Sequence, residues 1–141
     1  MRSYSDPSTV ARLEANAKVA GFNRWFDFDC LGAGNGEDEL TLEMRDELTQ
    51  HHGFFHGGCV TSLADTACAW AASTVAGDVV TASSTLHFLR PADGDRIRVH
   101  ATVIRAGKRT VTVDGKVFSE KADEAPKLCA TTLVSVAVLA R

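Results

Sequence analysis

Prolines are few, three in 141 residues, and no stretch of the chain separates two compositional halves. There is no internal repeat, no low-complexity tract and no linker. Residues 1–141 therefore read as one domain, a length that suits the common range of about 100–200 residues. No apolar run approaches the roughly 18 residues that a membrane-spanning helix needs. Met1 to Val10 is polar and carries no secretory h-region. Positive charge is in deficit, with 15 Lys+Arg against 18 Asp+Glu and a formal net charge of -3. An acidic chain repels a polyanion, so bulk charge does not drive nucleic-acid binding. The expectation is a cytoplasmic protein with neither a nucleic acid nor a membrane as partner.

Cysteine is also sparse. Cys30, Cys59, Cys68 and Cys129 form no C-x-x-C pair, and their spacing matches no zinc pattern. They read as reduced, mostly buried thiols, as suits a reducing compartment. His51, His52 and His56 lie close together, but a zinc site would need a fourth ligand and a rigid surrounding shell. No metal and no cofactor is expected.

What is present is hydropathy with two distinct periods. Asp6 can cap a helix that Pro7 begins. Val10, Leu13, Ala17 and Ala20 recur at helical spacing, and Gly21 offers a stop, so an N-terminal helix is expected within residues 1–21. Phe22–Leu31 is aromatic-rich and partly alternating and reads as a strand, followed by a turn over Gly32–Gly36. Leu40, Leu42 and Met44 alternate with Thr41, Glu43 and Arg45, giving a second strand. After a loop from Gln50 to Gly58, Val60, Leu63, Ala64, Ala67, Cys68, Ala71, Ala72 and Val75 make a helical stripe. This helix, expected over 57–76, is faced by small residues that let a sheet approach its axis closely, so it should be central. The period then changes to two. Strands are expected at Val79–Leu89, Arg96–Arg105, Thr110–Phe118 and Leu128–Leu139, with short turns between them. Asp114-Gly115 could be a bulge or a tight hairpin. Consecutive strands joined by short turns imply an antiparallel sheet, and one long helix on it makes the class α+β.

A long antiparallel sheet wrapped around one small-residue helix resembles the hotdog fold. The loop entering the helix sharpens this. Gln50-His-His-Gly-Phe-Phe-His56-Gly57-Gly58, followed by Leu63-Ala64-Asp65, is similar to the signature of the phenylacetate-type (PaaI-like) acyl-CoA thioesterases. Val80-Thr81, the run Phe88-Leu89-Arg90-Pro91 and the Gly107-Lys108-Arg109 turn match in position, so the likeness spans most of the chain. The resemblance implies hydrolysis of an acyl-CoA thioester, of aryl or medium-chain type, to the free acid and CoA.

Thioester hydrolysis needs donors aimed at the carbonyl oxygen and a base or nucleophile on the far side of the carbonyl carbon. The N–H groups that open a helix have no helical partner, and the helix dipole favours negative charge there. The Gly57 N–H is therefore the expected oxyanion donor, with Gly58 letting substrate come close; this agrees with the family's pattern. His56 orients the loop or lines the pocket. The resemblance makes Asp65 the general base or the nucleophile. Gln50 stands where many relatives carry Asn and could hold the water or the thioester. Thr81 aligns with a hydroxyl that assists the acid. Four residues after the acid stands Ala69, so the threonine that another hotdog subtype places there does not carry over. Phe54, Phe55, Trp70 and Phe88 could line an acyl pocket. Arg90, Lys108 and Arg109 are candidates for the CoA phosphates.

Gly57 and Asp65 lie about 12 Å apart along the helix, too far to touch one carbonyl within a chain. The family resolves this by pairing subunits, so a homodimer with interfacial active sites is expected, with dimers paired into a tetramer. Two other functions compete: a non-catalytic acyl-CoA binder and a hotdog dehydratase or hydratase. The latter wants a histidine paired with an acid, and no D-x-x-x-x-H arrangement occurs in the helix region.

Overall fold

The computed structural model describes residues 2–139. Two helices come first, α1 (Pro7–Ala17) and α2 (Gly21–Phe26), then strands β1 (Asp29–Gly34) and β2 (Glu37–Glu43). A 3-10 turn at Asp46–Leu48 leads to the long helix α3 (Gly57–Ala76), followed by β3 (Val79–Phe88), β4 (Arg96–Ala106), β5 (Thr110–Glu120) and β6 (Lys127–Val138). The six strands form one antiparallel sheet in the order β1-β2-β4-β5-β6-β3. Helix α3 packs against every strand of it.

Small residues bring helix and sheet together. Leu63, Ala64, Ala67, Cys68 and Ala71 are buried on α3, facing Leu40, Leu42, Val99, Val113 and Val117. Gly115 is neither bulge nor hairpin: it pairs in regular register with Ala101 of β4 and Thr132 of β6. A Cβ there would stand 2.7 Å from Thr132 Cγ2 and 3.0 Å from Cys68 Sγ. Gly115 thus clears the space into which the helix leans.

Four expectations need correction at the N-terminal end. The N-terminal helix starts where expected, after an Asp6 cap whose Oδ1 accepts from the Ser8 N–H at 3.1 Å, but it ends at Ala17, short of Ala20. Gly21 does not stop α1; at φ 62 it opens α2. The aromatic segment from Phe22 is not a strand at first but a helix, because Phe22, Trp25 and Phe26 recur at +3 and +4 and stack on one another. Asp27, left-handed at φ 58, ends that helix. The strand begins only at Asp29 and runs on to Gly34, and the turn shrinks to Asn35 and Gly36, both at positive φ.

One acid lies in the core. Asp38 of β2 is fully buried. Its Oδ1 accepts from the Cys30 thiol at 3.6 Å, and its Oδ2 has no partner among the described residues. Burial pushes its carboxyl well above the usual carboxylate range.

Candidate functional site

The start of α3 is shaped by its own cap. His56 precedes the helix at φ -60 and ψ 138, and its Nδ1 accepts from the Gly58 N–H at 2.8 Å. The His56 carbonyl accepts from the Cys59 N–H at 2.9 Å. The N–H of Gly57 has no partner among the described residues. Of the opening donors, Gly58 is therefore occupied and Gly57 is the one available, at the positive end of a 20-residue helix.

Gly57 opens on a cleft of about 510 Å³ lined by Gln50, Phe54, Phe55, Phe88 and Arg90, together with His52, Val60, Leu89, Pro91, Ala92 and Cys129. A Cβ on Gly57 would lie 3.2 Å from Phe88 Cζ, so the aromatic ring covers the glycine directly. Gln50 closes the preceding loop. Its Oε1 accepts from the N–H groups of His52 and Phe54, leaving the NH2 as the group it can offer a ligand. Arg90 sits where β3 has ended, beside this cleft. Lys108 and Arg109 do not join it. They lie on the β4–β5 turn, at the far end of an 11-residue strand from the Arg90 loop, about 35 Å of extended chain. Within one subunit the three cations do not form a single phosphate site.

Asp65 looks elsewhere. It is half-buried on the third turn of α3, and its Oδ1 accepts from the Thr81 hydroxyl at 2.7 Å. Both residues line a separate cleft of about 360 Å³, with Phe22, Asn23, Ser62, Thr66, Ala69, Trp70, Val79 and Val80. The structure thus brings Thr81 to Asp65 and brings Gln50, Phe54, Phe55, Phe88 and Arg90 to Gly57, but keeps the two groups in different clefts. Trp70 belongs to the Asp65 side. The sequence pointed to His52 only as a possible metal ligand, to Cys129 only as a buried thiol and to the α2 residues as strand, not as cleft lining. The +3/+4 spacing of the aromatics in α2 was the signal that could have found the last of these.

Among the described residues, no group of three or more His, Cys, Asp and Glu side chains is arranged to hold a metal ion. No helix among them is long and apolar enough to cross a membrane.

An antiparallel sheet curled around one long helix, with the helix N-terminus opening into a cleft, defines the hotdog class. Comparison with known proteins narrows it. Residues 52–125 match the family described as the thioesterase superfamily. The chain is 31% identical over 121 residues to the acyl-coenzyme A thioesterase PaaI of Escherichia coli (strain K12), covering 85% of this chain and 82% of that one. The structure of the E. coli PaaI protein superposes with a TM-score of 0.83 at 24% identity, over 94% of this chain and 95% of that one. A variant of the phenylacetic acid degradation protein PaaI from Thermus thermophilus superposes with a TM-score of 0.75 at 30% identity, covering 84% of this chain and 98% of that one. The chain belongs to the thioesterase superfamily, in its PaaI-like part, and is a thioester hydrolase.

Proposed function

We propose that the protein hydrolyses aryl- or medium-chain acyl-CoA thioesters at sites built between two subunits. Strand β3 carries the argument. It is an edge strand with one paired side, along β6. Its first residues hold Thr81 against Asp65, and its last residue, Phe88, lies against Gly57. Two β3 edges paired antiparallel set the start of one beside the end of the other. Asp65 and Thr81 of one subunit then face Gly57, Gln50 and Phe88 of its partner, and the two separate clefts become one continuous site.

Chemistry follows from that placement. The Gly57 N–H donates to the thioester carbonyl oxygen, where negative charge gathers as the carbon becomes tetrahedral. Asp65, its Oδ1 fixed by the Thr81 hydroxyl, acts from the opposite face through Oδ2. By one route, Asp65 takes a proton from a water whose oxygen attacks the carbonyl carbon, the carbon–sulfur bond breaks and the free acid leaves with CoA thiolate. By the other, Asp65 itself attacks, CoA leaves as thiolate, and a water then hydrolyses the acyl-aspartyl anhydride to release the acid and restore the carboxylate. The Gln50 NH2 holds the water or the thioester oxygen. Phe54, Phe55 and Phe88 flank the apolar length of the substrate, Gly58 admits it to the helix end, and Arg90 meets a phosphate. Lys108 and Arg109, on the β4–β5 turn and outside both clefts, are the candidates for further phosphate contact from the other subunit. Dimers pair further into tetramers.

The test is CoA release over a panel of acyl-CoAs, wild type beside Asp65→Ala. Loss of a positioned base lowers kcat by about 10²–10⁴-fold. Full activity in Asp65→Ala contradicts the assignment. Binding without any hydrolysis by wild type would make the protein an acyl-CoA binder.

A further inference from the structure

The cleft beside Asp65 has an exposed aromatic ring, Phe22, that core packing does not explain. Helix α2 is held at both ends. The Asn23 Nδ2 donates to the Ala17 carbonyl at 2.7 Å, and Arg45 donates to the carbonyls of Trp25 and Phe26 at 2.7 and 2.9 Å. The Arg45 guanidinium also lies over the Trp25 ring, 4.9 Å from its centroid. So fixed, α2 turns Phe22 into the Asp65 cleft while leaving it 54% exposed. Its ring rests on Phe26 at 4.9 Å. Opposite stands Trp70, 4% exposed and held edge-on by Phe28 at 5.3 Å.

Charge distinguishes the two clefts. None of the ten residues lining this one is Lys, Arg or His, and one is the Asp65 carboxylate. The phosphates of CoA are therefore disfavoured here and favoured in the cleft that holds Arg90. What remains for the Asp65 cleft is the uncharged end of the substrate. Its apolar walls, Phe22 and Trp70 with Val79 and Val80, suit an apolar group. We infer that Phe22, facing Trp70, is the wall against which the acyl group seats and the residue that sets acyl preference. This rests on the thioesterase reading above. Phe22 touches the acyl group remote from the carbonyl, so it discriminates between substrates without taking part in bond making.

Steady-state kcat/KM for acetyl-, phenylacetyl- and octanoyl-CoA tests this in wild type, Phe22→Ala and Phe22→Leu, with thermal unfolding of each. Phe22→Ala should lower the phenylacetyl and octanoyl values by about tenfold, the usual worth of a lost apolar pocket contact. Acetyl-CoA, too short to reach the wall, should change by less than about twofold. Phe22→Leu keeps an apolar wall and should fall between, and it carries the test alone if Phe22→Ala does not fold. An unchanged preference, or an equal loss on all three substrates, overturns the inference and leaves the thioesterase reading standing. Wild type inert toward all three overturns that reading and the inference with it.

Discussion

The hydroxyl of Thr81 is 2.7 Å from Asp65 Oδ1 and gives that carboxylate one orientation. A hydrogen bond to a charged group contributes about 1.5–3 kcal/mol. Thr81→Val, close in shape, should therefore cost about tenfold or more in kcat with KM little changed; initial-rate kinetics decide it. His56 has a different duty. Its Nδ1 caps the Gly58 N–H, so His56→Ala should destabilise the protein by about 1 kcal/mol, read by denaturant unfolding. The resemblance made both legible as candidates, His56 by the motif and Thr81 by its matching position downstream, and the structure sets Thr81 beside Asp65. The cap bond was not legible, because it depends on the φ and ψ of His56.

At the scale of elements, the period of hydropathy located α3 and the four strands after it. From Val111 on, β5 alternates buried and half-buried residues, whereas β3, with no fully buried residue, was located by its β-branched residues and its flanking turns. The first thirty residues were harder. Alternation and helical spacing overlap in a short aromatic run, and the left-handed Asp27 that ends α2 leaves no compositional mark. Gly115 shows the converse: an Asp-Gly pair suggests a turn, yet here glycine stands mid-strand because Cys68 comes close. Gly115→Ala should cost about 1–3 kcal/mol by overpacking, measured as a lowered denaturation midpoint with unchanged m. The separation of Gly57 from Asp65 was legible from the helical rise, but the linings of the two clefts were not, since they depend on which end of β3 each residue meets.

For the whole molecule, pH and assembly are the informative variables. Asp38 is buried, one of its oxygens has no partner among the described residues, and burial raises its folded-state pKa above the unfolded value of about 3.9. Its stabilising contribution is complete below that unfolded value. Above it the unfolded chain releases a proton that the folded chain keeps, so stability falls as pH rises toward the folded pKa. The slope is about 1.4 kcal/mol per pH unit for one proton. Asp38→Asn should flatten that part of the stability–pH curve, and an unchanged slope would assign the effect elsewhere. The proposed dimer rests on the exposed Val79–Phe88 edge. Lysine at Ser83 and Ser84 sets like charges against each other in a β3–β3 pairing. The double variant should sediment as a monomer and lose activity.

The most direct test of a site shared between subunits is complementation. Gly57→Pro removes the oxyanion N–H at the first helical position, where proline is tolerated, and the extended backbone of His56 suits a following proline. Asp65→Ala removes the acid on the other cleft. Each variant alone should be inactive. Refolded together in equal amounts, they should regain about a quarter of wild-type activity, because half the dimers are mixed and each mixed dimer holds one intact site. No recovery in a mixture shown to contain mixed dimers would contradict the shared site.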